Sequence, residues 1–398
     1  MSEYINLDYD SPFYPSTPVD PTLFKGREDV IKKILRYFPK VLNKKVQHFF
    51  LTGNKGMGKT SVAEFIINEI KEYNITHVYI SNKDNDSVEI LASRIIQEII
   101  NQYPPQSRKE RIKTWFGEHV SEIDIKGTKI KFNINKQQQK EVKENFLDYI
   151  SIAFEDLKEK YEGIFIIIDD INGLSETKEF VDWYKRIADT MAVNERYHLP
   201  LYFILEGYPE KFDNLVELDR SFGRIFHYAN LEELTYEEIR EFYENVFESV
   251  NIEVSPDALK LMIDYASGIP LTMQYIGDSV FWNTDNNQIN QDKAIEGIIL
   301  AGYEIGNKQL RRNLKKINNQ VFNDILMKIT KKELTNFNES SLQNILSDDE
   351  YTILPEFFKR MEEYEILESM NYTDEKTYNF KDKLTYSYFR IKSFENEQ

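Results

Sequence analysis

One glycine-rich segment has the residue types and spacing needed to grip a chain of phosphates. Residues 53–60 read Gly-Asn-Lys-Gly-Met-Gly-Lys-Thr and fit the pattern GxxxxGK[ST]. Its glycines let the backbone curl so that successive N–H groups point at one anion. Lys59 can reach the β- and γ-phosphates of a nucleotide, and the Thr60 hydroxyl can bind Mg²⁺. The predicted nucleotide contacts in this segment are Asn54, Lys55, Gly56, Met57, Gly58, Lys59, Thr60 and Ser61.

The segments on either side of this phosphate loop are the ones that phosphate binding requires. Gln47–Thr52 is predicted as a strand, and Ser61 to about Tyr73 as a helix. A helix that begins at the loop directs the positive end of its dipole at a bound phosphate. Strand, loop and helix together predict a nucleotide site rather than a chance glycine-rich turn.

Two acidic residues follow the most apolar run of the chain. Ile164–Ile168 is continuously apolar and leads into Asp169 and Asp170, as in a strand buried on both faces of a parallel sheet. We expect this strand to lie beside the phosphate loop. Asp169 is then expected to hold Mg²⁺, usually through water, and Asp170 to orient the attacking water. The alternative is a pair of acids in a strand-terminal turn without a chemical role.

Three more charged residues are candidates for contact with the γ-phosphate. Glu206 follows the next predicted strand and can sense that phosphate or position the water; alternatively it is a loop carboxylate without contacts. Arg220 and Arg224 precede a last apolar run, residues 225–231, that can close the sheet. One of them, with Arg224 preferred, is expected to reach the nucleotide of a neighbouring subunit as an arginine finger. The alternative for both arginines is a surface salt bridge.

Composition limits the partners and the compartment. The 398 residues include no cysteine, which excludes disulfides and thiolate metal sites and fits a cytoplasmic location. The net charge of −17 disfavours non-specific attraction to DNA or to anionic membranes. Neither a signal peptide nor an apolar stretch long enough to cross a bilayer is expected, so no membrane partner is predicted.

The order of elements predicts the fold class. Alternating strands and helices indicate an α/β domain with a doubly wound parallel sheet of the P-loop NTPase type. Besides the helix after the phosphate loop, its helices are expected at about 29–42, 87–102, 141–161 and 177–192, and those of the lid at 235–249, 256–266, 271–282 and 290–304. An all-α lid and a C-terminal winged-helix domain follow; in the latter, three helices precede a hairpin formed by residues 378–380 and 384–391. The predicted boundaries are 1–25 for an N-terminal arm, 26–231 for the ATPase domain, about 103–140 for an insertion with a small hairpin, 232–305 for the lid and 306–398 for the winged helix.

Basic clusters keep nucleic acid open as a partner. One consists of Lys308, Arg311, Arg312, Lys315 and Lys316, and a second lies at residues 107–113. Either can meet phosphates or be an ordinary solvated face. The third helix expected in the winged-helix domain, residues 355–365, is acidic, which disfavours a place in the major groove. That domain is therefore expected to contact protein unless its wing, with Lys376, Lys381 and Lys383, binds DNA.

The ordered set of motifs resembles the AAA+ ATPases of the origin-recognition/initiator clade and the related STAND ATPases. The set covers roughly residues 13–305 and comprises Phe24–Glu28, the phosphate loop, Asp169–Asp170, Leu205–Glu210, Arg224, Leu234–Ile239 and Gly268–Pro270. The resemblance implies that Phe24 and Arg27 lie near the adenine and that Pro270 helps to place the lid over the phosphates. Leu271 occupies the position where initiators often carry a sensor arginine. A residue without charge at this position is more similar to STAND switches.

Three functions are compatible with these residues. The first is an ATPase that requires Mg²⁺ and hydrolyses ATP to ADP and phosphate. It forms a homo-oligomer with ATP at its subunit interfaces and recruits a protein effector, with prokaryotic defence as one setting. The second is a DNA-associated ATPase of the initiator or transposition type that uses its winged helix to bind DNA. The third is a scaffold with an inactive nucleotide site.

Overall fold

The computed structural model describes residues 10–83, 86–116, 122–126, 129–284, 287–370, 376–381 and 383–396. The chain forms two compact units. One, the sheet unit, contains Arg27–Gly53 and Val62–Leu231; the other, the lid unit, contains Asn54–Ser61, Glu232–Gln398 and the N-terminal segment up to Gly26. The domain boundaries expected from the sequence stay predictions. Within the described ranges, none of the helices is both long and apolar enough to span a bilayer.

The core of the sheet unit is a five-stranded sheet in which every neighbouring pair is parallel. The strand order is β2-β5-β6-β1-β7, and β3 and β4 pair separately as an antiparallel hairpin. The prediction of a parallel sheet of the P-loop type is thus confirmed, and the predicted hairpin is present as β3 and β4. The strands are β1 (Gln47–Gly53), β2 (Ile75–Ser81), β3 (Glu122–Lys126), β4 (Lys129–Asn133), β5 (Gly163–Asp169), β6 (Leu201–Gly207) and β7 (His227–Leu231).

β6 lies between β5 and β1 in the sheet. Phe50 of β1 is opposite Leu205, and Ile167 of β5 is opposite Ile204. Both faces of β5 are covered, and Ile164–Ile168 is at most 1% exposed, which accounts for the apolar run. The apolar run is thus that of a strand buried on both faces of a parallel sheet, as predicted.

The helices up to residue 231 follow the predicted order with local breaks. They are α1 (Glu28–Leu35), α2 (Phe38–Leu42), α3 (Lys59–Ile70), α4 (Val88–Ile100), α5 (Pro105–Phe116), α6 (Lys136–Glu144), α7 (Phe146–Leu157), α8 (Lys178–Val193) and α9 (Pro209–Leu218). The single helix expected at 29–42 is two helices, because Pro39 starts a new helical turn in α2. The helix expected at 141–161 is also divided, at Asn145, while α5 and α9 were not predicted.

Four helices build the lid region, close to their predicted bounds. They are α10 (Tyr236–Ser249), α11 (Pro256–Ala266), α12 (Pro270–Trp282) and α13 (Gln291–Lys308), accompanied by a short parallel pair, β8 (Glu253–Val254) and β9 (Gln288–Ile289). Thr235 begins α10 with a capping box in which Glu238 bonds back to the Thr235 N–H. Phe13 from the N-terminal arm is buried in the apolar core of this region.

The C-terminal part has the helices and small antiparallel sheet of a winged helix. Its helices are α14 (Arg311–Ile317), α15 (Gln320–Lys331), α16 (Glu339–Leu342), α17 (Asp348–Thr352), α18 (Leu354–Glu363) and α19 (Lys383–Glu395). Its strands, in the order β10-β12-β11, are β10 (Asn336–Phe337), β11 (Leu367–Met370) and β12 (Thr377–Phe380). The wing segment 371–375 lies outside the described residues.

The segment Leu384–Ile391 was wrongly expected to be a strand, since it is part of α19. Its apolar and aromatic residues resemble a strand because the helix is buried on several sides, against α13 and α15 among others. Two glycines of α13 allow the close approach: a Cβ on Gly302 would lie 2.6 Å from Ile391, and one on Gly306 2.6 Å from Tyr388. Tertiary packing thus overrides the local preference, and β11 takes the place of the expected partner of β12.

Candidate functional site

The phosphate loop has the backbone conformation that its glycines predict. Gly56 and Gly58 adopt positive φ angles of +81° and +85°, which other residues reach only with strain. Met57, between them, is 3% exposed and anchors the loop, and its N–H donates to the Asn54 carbonyl at 3.3 Å. Lys55 points outward as an exposed side chain. The loop therefore has the curled shape expected of an anion cradle.

Lys59 and the start of α3 supply the positive charge of this loop. The Lys59 ammonium donates to the Asn54 carbonyl at 3.3 Å, so the side chain folds back over the loop. Because α3 begins at Lys59, the N–H groups of its first turn have no acceptor within the helix. Thr60 and Ser61 belong to the same turn, and the Ser61 hydroxyl accepts a bond from the Val19 N–H at 3.4 Å. These features fit a triphosphate group.

The first turn of α12 contacts the phosphate loop within the lid unit. The Leu271 N–H donates to the Gly56 carbonyl at 3.1 Å. A Cβ on Gly56 would lie 2.9 Å from the Leu271 Cβ, and one on Gly58 would lie 3.8 Å from the Pro270 ring. Leu271 is therefore packed against the loop. Lid and phosphate loop are joined by one direct backbone hydrogen bond.

The entry motif around Gly26 is fixed to the start of α10. Gly26 is buried with φ +80°, and a Cβ there would lie 2.8 Å from the Glu238 carboxylate. Arg27 follows with a left-handed φ of 67°, and Phe24 is half-buried. The placement of Phe24 and Arg27 near an adenine stays a prediction.

The strands β5, β6 and β1 are parallel neighbours in the sheet. Their carboxyl ends therefore lie at the same edge of the sheet. Asp169 is the last residue of β5 and lies at this edge. Its carboxylate Oδ2 accepts a hydrogen bond of 2.5 Å from the Tyr79 hydroxyl of β2. The predicted Mg²⁺ ligand is therefore held by a residue that the sequence did not single out.

Asp170 adopts a left-handed conformation, φ 59° and ψ 59°, which aspartate tolerates better than most residues. Its exposed carboxylate accepts a bond from the Asn172 amide. The Asn82 side-chain amide donates to the Asp170 carbonyl at 3.1 Å, and the Asn82 N–H donates to the Asp169 carbonyl at 2.9 Å. Buried Asn82 Oδ1 has no hydrogen-bond partner among the described residues, and a bound water would satisfy it.

Glu206 lies inside β6 and is not a loop carboxylate. It is 0% exposed and pairs in register with Leu51 of β1. Burying a carboxylate is costly unless other groups compensate its charge or it takes up a proton. Its predicted role beside the γ-phosphate stays a prediction.

Arg220 and Arg224 are exposed and have no ion pair within the described ranges, which argues against the salt-bridge alternative. The turn that carries them is firmly held. Asp219 accepts from Lys185 at 2.7 Å and from the Ser221 hydroxyl and N–H at 2.6 and 2.8 Å. These bonds hold the pKa of Asp219 below its ordinary value. Their predicted role as arginine fingers stays a prediction.

Several of the basic residues considered as nucleic-acid contacts are engaged within the chain. Arg108 donates to the carbonyls of Asn101 and Tyr103 at 2.6 and 2.7 Å, and Arg111 pairs with Asp156 at 2.7 Å. Two arginines of the second basic cluster therefore have structural roles. The wing lysines are also paired: Lys376 with Glu362 at 2.9 Å, Lys381 with Glu365 at 3.1 Å and Lys383 with Glu233 at 3.1 Å.

Helix α14 is different from these paired regions. Arg311, Arg312, Lys315 and Lys316 are all exposed, and the described part of the chain offers none of them an ion pair. Two of them occupy the first helical turn, where the helix dipole disfavours cations. Like charges four residues apart on a helix also repel each other. Only Lys308, on the preceding helix, pairs with an acid, Glu304, at 2.5 Å.

The sheet order and the phosphate loop define a P-loop NTPase fold. Residues 23–181 match the family model described as "AAA ATPase domain". No curated protein sequence matches the chain significantly.

Solved structures share the fold at low identity. A Walker-type ATPase of Pyrococcus abyssi is 16% identical with a TM-score of 0.54, over 92% of this chain and 96% of that one. The Aeropyrum pernix ORC2 protein in ADPNP–ADP complexes is 12% identical with a TM-score of 0.55, over 98% and 97%. The fold that this chain shares with these two structures therefore covers more of the chain than residues 23–181.

Proposed function

We propose that this protein is an ATP-dependent switch that hydrolyses ATP slowly and forms a homo-oligomer when ATP is bound. The observation that carries the proposal is the hydrogen bond from the Leu271 N–H to the Gly56 carbonyl. It joins the first turn of α12 to the phosphate loop, so a nucleotide that reshapes the loop also acts on the lid. Only ATP offers a γ-phosphate, so ATP and ADP favour different arrangements of the lid.

Each candidate residue has a proposed task in this reaction. The phosphate loop and Lys59 bind the β- and γ-phosphates, and Thr60 and Asp169 serve Mg²⁺, which neutralises phosphate charge when bound. Asp170 orients the water for in-line attack. Arg224 of a neighbouring subunit stabilises charge on the transferred phosphoryl group. Leucine at position 271 supplies no positive charge there, which is the basis for expecting slow turnover.

Two observations support adenine nucleotides as ligands. Residues 23–181 match the AAA ATPase domain model, and the similar Aeropyrum pernix protein was solved with ADPNP and ADP. The paired wing lysines and the acidic α18 favour a protein effector over DNA as the partner of the winged helix. A role in prokaryotic defence is one setting for such a switch.

Paired lysine variants test nucleotide binding. We expect Lys59→Ala to abolish calorimetric ATP binding and phosphate release, because it removes the ammonium group that folds over the loop. The control Lys55→Ala removes an exposed side chain of the same loop but keeps the main-chain N–H that faces the phosphates, so both should stay within about threefold. Equal loss in the two variants, or wild-type protein without any ATP binding, would contradict the proposal. Binding without phosphate release in wild type would indicate the inactive scaffold.

A second candidate function, DNA association, rests on the four unpaired cations of α14. Binding through them would weaken steeply with salt, because each neutralised phosphate releases counterions. Assembly of an acidic protein should instead be helped by moderate salt, which screens repulsion between its copies. Replacing all four cations with glutamine should remove DNA binding, whereas Lys376→Gln should not. No salt-sensitive binding with ATP present would reject this function.

A further inference from the structure

Tyr79 is joined to the acidic end of the neighbouring strand by the geometry of the sheet. Tyr79 of β2 pairs in register with Ile167 of β5, and Asp169 lies two residues further along β5, on the same face. A long aromatic side chain can reach such a diagonal neighbour. Its hydroxyl donates a hydrogen bond to Asp169 Oδ2 at 2.5 Å.

This bond restricts the Asp169 carboxylate in a specific way. With Oδ2 engaged by the phenol, the rotation that would exchange the two carboxylate oxygens is opposed. The whole carboxylate, Oδ1 included, is then held in one orientation. Preorganised carboxylates bind metal ions more tightly, because the cost of ordering the ligand is met in advance.

We infer that Tyr79 is a positioning residue that orients Asp169 as a ligand for hydrated Mg²⁺, an inference that rests on the proposed nucleotide function. The phenol touches neither nucleotide nor metal; it acts through the Asp169 carboxylate. No motif includes Tyr79, and its role depends on the pairing of β2 with β5.

The chain offers a matched control at the other end of the sheet. Tyr197 also donates its hydroxyl to an aspartate, Asp148 Oδ1, at 2.8 Å. Tyr197 precedes β6, so it lies before the amino end of that strand rather than at the carboxyl edge. Tyr79→Phe and Tyr197→Phe remove the same atom from the same kind of bond, one beside the proposed Mg²⁺ site and one remote from it.

Binding of a fluorescent ATP analogue tests the inference. It is measured in a titration with Mn²⁺, which substitutes for Mg²⁺, and again in EDTA without metal. We expect Tyr79→Phe to raise the apparent Mn²⁺ dissociation constant about tenfold, the scale at which groups that orient metal ligands act. Affinity for the analogue in EDTA should stay within about twofold of wild type, because the loop contacts are unchanged. Tyr197→Phe should change neither quantity.

A double-mutant cycle of Tyr79→Phe with Asp169→Asn distinguishes a positioning effect on Asp169 from a general loss of structure. If Tyr79 acts through Asp169, Tyr79→Phe should add no further loss of Mn²⁺ affinity in the Asp169→Asn background. An unchanged Mn²⁺ constant for Tyr79→Phe, or an equal loss of affinity in EDTA, would overturn the inference while leaving nucleotide binding in place. A wild-type protein that binds no nucleotide would overturn the proposed function and the role of Tyr79 with it.

Discussion

His48 is a buried histidine at the start of β1, enclosed by aromatic rings. Its ring stacks on Phe203 with centroids 5.4 Å apart, and its Nδ1 lies 2.9 Å from the Tyr184 hydroxyl oxygen. Burial is the main cause that lowers its pKa from 6.5 to about 3, with a smaller contribution from His227. The folded protein therefore keeps His48 neutral over a range in which the unfolded chain takes up a proton.

This difference predicts acid sensitivity with a defined sign. The contribution of His48 to stability is complete above pH 6.5 and is lost as the pH falls towards 3, because only the unfolded state is protonated there. We expect His48→Gln to reduce the decline in unfolding free energy between pH 6.5 and 5 by up to about 1.4 kcal/mol per pH unit. Urea unfolding at both pH values measures this decline.

The control for this prediction is His198→Gln, which changes an exposed histidine. It should retain the wild-type pH dependence. The same decline in wild type and in His48→Gln would show that other groups cause the acid sensitivity.

The residues of the candidate site differ in how far sequence could predict them. The loop conformation and the place of Asp169 followed from local patterns, since glycine spacing and a buried strand end depend on adjacent residues. Tyr79 and Asn82 could not be found this way, because their bonds to Asp169 and Asp170 form only after β2 pairs with β5.

At the scale of elements, the N-terminal arm is held to the lid helices by one aromatic ring. Phe13 is 2% exposed and packs against Phe242 and Phe247 with centroids 6.0 and 5.0 Å away. Gly277 on α12 makes room for it, since a Cβ there would lie 2.2 Å from the ring. The Tyr14 N–H also donates to the Gln274 side chain at 2.8 Å.

Removing this ring should release the arm. Phe13→Ala is expected to lower the free energy that holds the arm in place, or the free energy of unfolding, by about 3–5 kcal/mol, the usual range for a buried phenylalanine. Limited proteolysis should then cut within residues 14–25 much faster than in wild type. Tyr14→Ala, which changes an adjacent side chain that is 39% exposed, should be cut at the wild-type rate. Unchanged cleavage of Phe13→Ala would mean that other contacts hold the arm.

The elements that sequence predicted poorly are those whose surroundings decide their conformation. The lid helices have capping residues and helical spacing of their own, such as Thr235 with Glu238 on α10, and their bounds were close. Helix α19 lacks a clear apolar stripe, because it is buried on several sides among other helices. The place of β6 between β1 and β5 likewise depends on long-range pairing.

At the scale of the whole molecule, assembly must bring together copies that repel each other. Each chain carries a net charge of −17, so association needs specific contacts that outweigh this repulsion. An arginine that crosses to a neighbour's γ-phosphate would be such a contact, present with ATP and absent with ADP. The exposed, unpaired state of Arg224 within the described residues is suited to this role.

Mixing two inactive variants tests whether Arg224 acts between subunits. Arg224→Ala keeps the phosphate loop but lacks the finger, and Lys59→Ala lacks the phosphate grip but keeps Arg224. Each alone should lose phosphate release, by about 10³-fold or more for a true finger. A mixture should recover activity, because Arg224 of one protomer then meets the intact loop of another. Arg220→Ala is the control for Arg224→Ala, and it should release phosphate without a partner variant. Failure of the mixture to recover, or full activity of Arg224→Ala, would exclude Arg224 as the arginine that joins the subunits.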